Sequence, residues 1–240
     1  MLLVHGYPLS GRLWDPVVER LRPEYRLIVP DLRGMGRSEV GDPVPLERYA
    51  DDMVAVLDAV GVREPAVVVG LSMGGYIVLD LYRRHRGRVR AMVLADTRAA
   101  PDTPEAAAAR RRSSQRAIDE GAPAVVGGMA EDLLAPGADA ALREEWRGIM
   151  TATPPRGIAS ALTAMADRPD SRPLLPRIAC PVLVIVGAED TLTPPGQARR
   201  MAESIRGARL AVIPGAGHLT PVERPAEFAL ALRRFLEGIG

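Results

Sequence analysis

Short apolar runs rich in Val, Ile and Leu recur along the chain, each bounded by Gly, Pro or Asp: Leu2–Val4, 26–29, 66–69, 91–95, 181–186 and Arg209–Ile213. Runs of this length and composition predict strands buried on both faces. Between them, apolar residues repeat at helical spacing, as Met53, Val56, Leu57 and Val60 do within 46–60, and Ile77, Leu81 and Tyr82 within 76–82. Alternating buried strands and helices can bury all their apolar surface only as a mostly parallel sheet with helices on both faces. The expected fold class is therefore α/β, doubly wound. Two closing helices are predicted at about 197–205 and 225–236, the second with Pro225 in its first turn.

Residues 98–172 break the alternation, with no strand-like run and four helical patterns, near Pro104–Glu120, 124–134, 140–150 and 155–165. The expected organisation is a core of 1–97 and 173–240 interrupted by a helical cap, 98–172. The cap concentrates Met129, Trp146, Met150 and Met165 in a chain that is 4% aromatic. Such residues first serve packing between helices. The functional alternative is an apolar substrate pocket over the sheet.

Composition narrows the chemistry. The 240 residues are 47% apolar, enough for a sizeable core in one or two domains. Lys plus Arg total 31 against 30 Asp plus Glu, a net charge of +1, so no bulk field draws in nucleic acid or an anionic membrane. The chain contains no Lys, which removes P-loop lysines, Schiff bases and Ser-Lys dyads. Its single cysteine, Cys180, excludes an intrachain disulfide and a Cys-cluster zinc site and reads as a small buried hydrophobe. No apolar run approaches the roughly 18 residues of a membrane span, and the expected location is the cytoplasm.

One motif carries nucleophile chemistry. Gly70-Leu71-Ser72-Met73-Gly74 follows a strand-like run and precedes a helical one, and Ser72 is the only serine in such a frame. A serine on a tight strand-to-helix turn needs small neighbours, and the helix N-terminus behind it favours negative charge. Three histidines compete as its base. His85 closes a helix, where a cation facing the dipole is its ordinary role. His5 directly follows the first strand. His218 lies on a Gly-rich loop after the last strand, at the sheet edge where all parallel strands end, and is the expected base. Two carboxylates on that edge, Asp96 and Asp190, could each orient it. The order Ser, Asp, His fits both.

Five segments in register, His5-Gly6-Tyr7-Pro8, Asp31-Leu32-Arg33-Gly34-Met35-Gly36-Arg37-Ser38, 70–74, 187–190 and Gly217-His218, resemble the α/β-hydrolase superfamily along essentially the whole chain. Within it, 94–98 and 165–170 resemble small bacterial carboxylesterases and enol-lactonase-like hydrolases with a helical cap. The resemblance implies a triad of Ser72, Asp190 and His218, with Asp96 as the rival acid, and an oxyanion hole of the Tyr7 and Met73 amides. It makes His5 a loop-ordering residue. Arg33 could pair with a substrate anion, its ordinary alternative being one arm of an internal salt bridge. The implied activity is cofactor-independent and metal-free hydrolysis of a small-molecule carboxylic ester of short to medium chain through an acyl-enzyme. A lactonase, a perhydrolase or a C–C bond hydrolase would use the same triad, and a ligand receptor the same fold. Ser at the nucleophile position departs from the dehalogenases and epoxide hydrolases of this fold, which use Asp. Relatives carry two further strands before the His-Gly loop, which begins here at His5. The resemblance thus implies a sheet lacking that hairpin, and either a start upstream of Met1 or an unpaired edge near 26–29 through which copies could associate.

Overall fold

A computed structural model describes residues 1–239. Five strands, β1 (Leu2–Val4), β2 (Ala66–Leu71), β3 (Val89–Ala95), β4 (Val182–Gly187) and β5 (Arg209–Ile213), form one parallel sheet in the order β1-β2-β3-β4-β5. Strands β1 and β4 are buried at every residue, as their unbroken apolar sequences require of strands covered on both faces. The edge strand β5 carries exposed positions at Arg209 and Val212, and β3 one at Arg90.

The first crossovers contain α1 (Asp15–Leu21), α2 (Leu46–Ala59) and α3 (Met73–Arg84). The inserted segment holds α4 (Pro104–Glu120), α5 (Ala122–Val126), α6 (Met129–Leu133), α7 (Ala140–Thr151) and α8 (Pro155–Ala166). The chain closes with α9 (Pro195–Glu203), α10 (Thr220–Glu223) and α11 (Pro225–Glu237). Its path across the sheet reverses once. From β1 it passes through α1 to Ile28, which bridges to the free side of β1, then returns through α2 to β2 and steps onward to β5. Right-handed crossovers taken in opposite directions place their helices on opposite faces. Helix α1 accordingly packs on α11, with the Trp14 and Phe228 rings 5.8 Å apart, and α2 packs on α3. None of the described helices is long and apolar enough to cross a membrane.

Two expectations need correction. Residues 26–29 form an isolated bridge and not a strand, held by Ile28 N to Met1 O at 2.8 Å and Leu3 N to Ile28 O at 2.9 Å. Among the described residues nothing pairs the outer side of this segment, and Pro30 cannot donate to extend the ladder. The insertion also carries five helices where four are expected, because Gly127 and Gly128 divide the pattern at 124–134 into α5 and α6.

The insertion meets the core at α8, and its own two ends are tied to each other. Helix α8 meets the 31–38 loop backbone to backbone: a Cβ on Gly157 would lie 1.9 Å from the Gly34 carbonyl oxygen. The buried Asp102 carboxylate gathers Arg98, Arg110 and Arg168 from the start of the insertion, α4 and the segment after α8.

Candidate active site

Ser72 is the one residue between β2 and α3, and it turns the chain with φ 54° and ψ −115°. Side chains rarely adopt positive φ, and a conformation of this kind costs on the order of 1–3 kcal/mol. The turn is held by Ser72 N donating to Ala95 O at 2.9 Å and by Thr97 Oγ1 donating to Ser72 O at 2.7 Å. Its flanks admit no side chain. A Cβ on Gly70 would lie 2.3 Å from Gly74 O, and one on Gly74 would lie 2.2 Å from Val4 O. The Gly-x-Ser-x-Gly frame is thus a packing requirement. It leaves Ser72 half-buried at the N-terminus of α3, on the edge where the strands end.

On that edge His218 Nδ1 lies 2.8 Å from Asp190 Oδ2. Both side chains are almost fully buried. Asp190 Oδ1 accepts from Leu192 N and Thr193 N, each at 2.9 Å, while Thr193 Oγ1 donates to Oδ2. Burial alone would raise this carboxyl, but the hydrogen bond and charge of His218, together with Thr193, hold it below the ordinary carboxylate value. Among the described residues, both side-chain hydrogen-bond contacts of the imidazole are made through Nδ1, and Nε2 makes none. No hydrogen bond joins the Ser72 hydroxyl to His218.

Asp96 occupies a different position. It sits at the end of β3 with φ 46°, fully buried, and accepts from Gly187 N at 2.9 Å and from Thr220 Oγ1. It makes no hydrogen bond to His218; it ties β3 to β4 and to the segment following the histidine. Burial first, and then the charge of Asp190, push its carboxyl well above the ordinary value.

The loop 5–8 passes directly over the elbow. A Cβ on Gly6 would lie 3.1 Å from both Leu71 O and Ser72 Cβ, so the Tyr7 amide is carried close to the serine. Met73 is the first residue of α3, where amides have no partner within the helix. His5 braces this loop: Nδ1–H donates to Gly6 O at 2.8 Å, and Nε2 accepts from Leu32 N at 2.9 Å. Burial pushes the imidazole down to about 4, so it stays neutral and keeps both bonds. His85 pairs with Asp51 at 2.6 Å beyond the end of α3. Arg33 forms a two-pronged bond to Asp52 at 2.7 and 2.8 Å. Cys180 is half-buried, and burial raises its thiol to about 11.

Of the cap residues, Trp146, Met150 and Met165 are buried in the continuous apolar core, and Met129 is half-buried against it. Thr153, just past α7, donates from Oγ1 to Pro8 O at 2.9 Å, which links that helix to the loop over Ser72. Three polar residues around the site are invisible to sequence reasoning: Thr193, Thr220 and Glu223. Each looks like an ordinary turn or surface-helix residue until the sheet brings it beneath the histidine.

A parallel sheet, a serine forced into the left-handed region at a helix N-terminus, and a His-Asp pair on the same edge define an α/β hydrolase. The model of the alpha/beta hydrolase family matches residues 1–232, and the chain belongs to that family. It is 30% identical to the pimeloyl-[acyl-carrier protein] methyl ester esterase of Neisseria meningitidis serogroup C, over 99% of this chain and 93% of the relative. Its fold superposes on a thermophilic esterase from Thermogutta terrifontis with a TM-score of 0.97 and 40% identity, covering 99% and 89% of the two chains. It also superposes on the enol-lactonase from Burkholderia xenovorans, with a TM-score of 0.90 and 29% identity over 98% and 90%.

Proposed function

We propose that this chain is a serine hydrolase that cleaves short- to medium-chain carboxylic esters through an acyl-enzyme intermediate. The observation that carries this reading is the bonded His218–Asp190 pair on the edge where Ser72 holds its strained turn. Ser72 Oγ attacks the acyl carbonyl, and His218 Nε2 takes its proton. Asp190 fixes the tautomer with the proton on Nδ1 and stabilises the imidazolium that forms. The Met73 and Tyr7 amides receive the developing alkoxide. His218 then returns the proton to the leaving alcohol. A water deprotonated by the same nitrogen releases the acid, and no cofactor is required. The link from Thr153 to Pro8 supports an acyl site walled by Trp146 and Met150 of α7, with Met129 and Met165 beside them.

The 40% identity to an esterase, against 29% to an enol-lactonase, supports reading ester before lactone. The lactonase remains the second reading, since ring opening uses the same atoms. The test is a panel of activated esters of increasing acyl length alongside several lactones, run on wild type and Ser72→Ala. The expected result is peak kcat/KM on short acyl chains, with turnover and fluorophosphonate labelling lost in the variant. Labelling that persists in Ser72→Ala would move the nucleophile elsewhere, and a lactone preference would select the second reading.

The same proposal keeps the cytoplasmic setting and the small-molecule substrate. It adds that copies associate through the segment at Ile28, whose outer side has no partner among the described residues. Light scattering showing only monomer at micromolar concentration would remove that part.

A further inference from the structure

His218 sits on a run of three consecutive amides, and each is captured from outside the loop's own turn. Gly217 N donates to Glu223 Oε1 at 2.9 Å, and Leu219 N donates to the same oxygen at 3.3 Å. Between them, His218 N donates to Leu133 O, at the end of α6 in the cap, at 2.8 Å. The other oxygen of Glu223 is also turned to the cap, accepting from Ala135 N at 2.7 Å. One buried carboxylate therefore spans the joint, with one oxygen on the histidine loop and the other on the α6–α7 connection. The two backbones touch at the same place: a Cβ on Gly217 would lie 2.6 Å from Ala135 N.

The geometry points to Glu223 as a positioning residue for His218, coupling the location of the cap to the aim of the catalytic imidazole; this rests on the reading of Ser72, Asp190 and His218 as a triad. The side chain of Glu223 makes no hydrogen bond to the triad itself. It fixes the backbone from which the imidazole projects, so its loss frees His218 to rotate away from Ser72 while the Asp190 bond is retained. A carboxylate suits the task because it accepts on both oxygens at once. An amide cannot: Glu223→Gln must present Nε2–H₂ either to the histidine loop or to Ala135, so one half of the joint meets a donor facing a donor. Burial raises the Glu223 carboxyl despite its three amide donors.

The acidic groups facing the joint are Asp190, paired to His218, and Asp96, bonded to Thr220 at the other end of α10; Glu189, Asp139 and Arg224 line a small cavity together with Glu223 and Ala135.

The experiment uses the full chain as Glu223→Gln and Glu223→Ala, with Ser72→Ala in parallel, assayed on p-nitrophenyl butyrate well below each variant's melting temperature. The expected result is a fall in kcat of about 10- to 100-fold with KM changed less than about 3-fold, and a matching fall in the rate of fluorophosphonate labelling of Ser72. Thermal melting and the downfield proton resonance of His218 Nδ1–H should show a folded protein with the Asp190 bond intact. Variants that melt lower yet keep kcat within 2-fold would overturn the proposal, because they would make Glu223 a purely structural residue. If neither variant folds, amide hydrogen exchange of the wild type decides. Gly217, Leu219 and Ala135 must exchange together as one unit, and independent opening of Ala135 would overturn the coupling. Activity that survives in Ser72→Ala would count against the triad reading and not against the joint.

Discussion

Replacing Asp190 by Asn separates the two candidate acids by more than their distance from His218. Asp190 Oδ1 is fixed by two backbone amides, Leu192 N and Thr193 N, both at 2.9 Å. In Asp190→Asn the carbonyl oxygen must stay on those amides, because turning the group would set an NH₂ against two N–H donors. The NH₂ then faces His218 Nδ1 across the present 2.8 Å contact and donates to it. Nδ1 becomes the acceptor, the proton moves to Nε2, and the imidazole can no longer take a proton from Ser72. A tautomer error of this kind costs on the order of 10⁴ in kcat, or about 5 kcal/mol of transition-state stabilisation. Asp96→Asn meets no such conflict. Its Oδ1 keeps the bond from Gly187 N, and its NH₂ donates to the Thr220 hydroxyl that Asp96 now bonds. Its kcat should stay within about 3-fold of wild type. The assay is steady-state hydrolysis of p-nitrophenyl butyrate at pH 8 with both purified variants. A larger loss in Asp96→Asn than in Asp190→Asn would refute the argument and move the acid to β3.

Asp96 also sets a pH dependence of stability. Its carboxyl is raised in the folded chain, so above the unfolded value of about 3.9 the folded state holds the extra proton and stability falls as pH rises towards the folded value. Melting temperatures from pH 4.5 to 8.5 should therefore show wild type losing ground to Asp96→Asn with rising pH, and a gain would reverse the sign. Gly74→Ala would force a methyl to within 2.2 Å of Val4 O, a backbone atom of the central sheet. It should cost about 3 kcal/mol or more in urea unfolding, and a cost below 1 kcal/mol would show that the elbow can relax. Asp102→Ala strands three guanidiniums, of which Arg168 is 2% exposed. The expected loss is about 3–5 kcal/mol by chemical denaturation, whereas a neutral result would mean that water replaces the carboxylate.

The alternation of apolar runs and helical periodicity was sufficient for a parallel α/β sheet, because buried strands of Val, Ile and Leu have no other way to cover both faces. The Gly70–Gly74 frame announced its own turn for a largely local reason: the two residues on each side of Ser72 decide whether the backbone can make it. Other features depended on distant parts of the chain. Residues 26–29 have the composition of a strand, but a strand exists only where a neighbour pairs it, and here the pairing stops after Ile28. Asp96 and Asp190 occupy equivalent loops in the sequence, and only the packing of β3, β4 and the last loop turns one carboxylate to His218 and the other to Thr220. Glu223 lies five residues beyond the histidine in a segment that reads as a surface turn, yet folding buries it beneath the cap with three amides aimed at it. Local sequence encodes backbone conformation through sterics that act over a few residues. Which of several similar polar groups becomes functional is fixed by burial and by partners that only the folded chain brings within hydrogen-bonding reach.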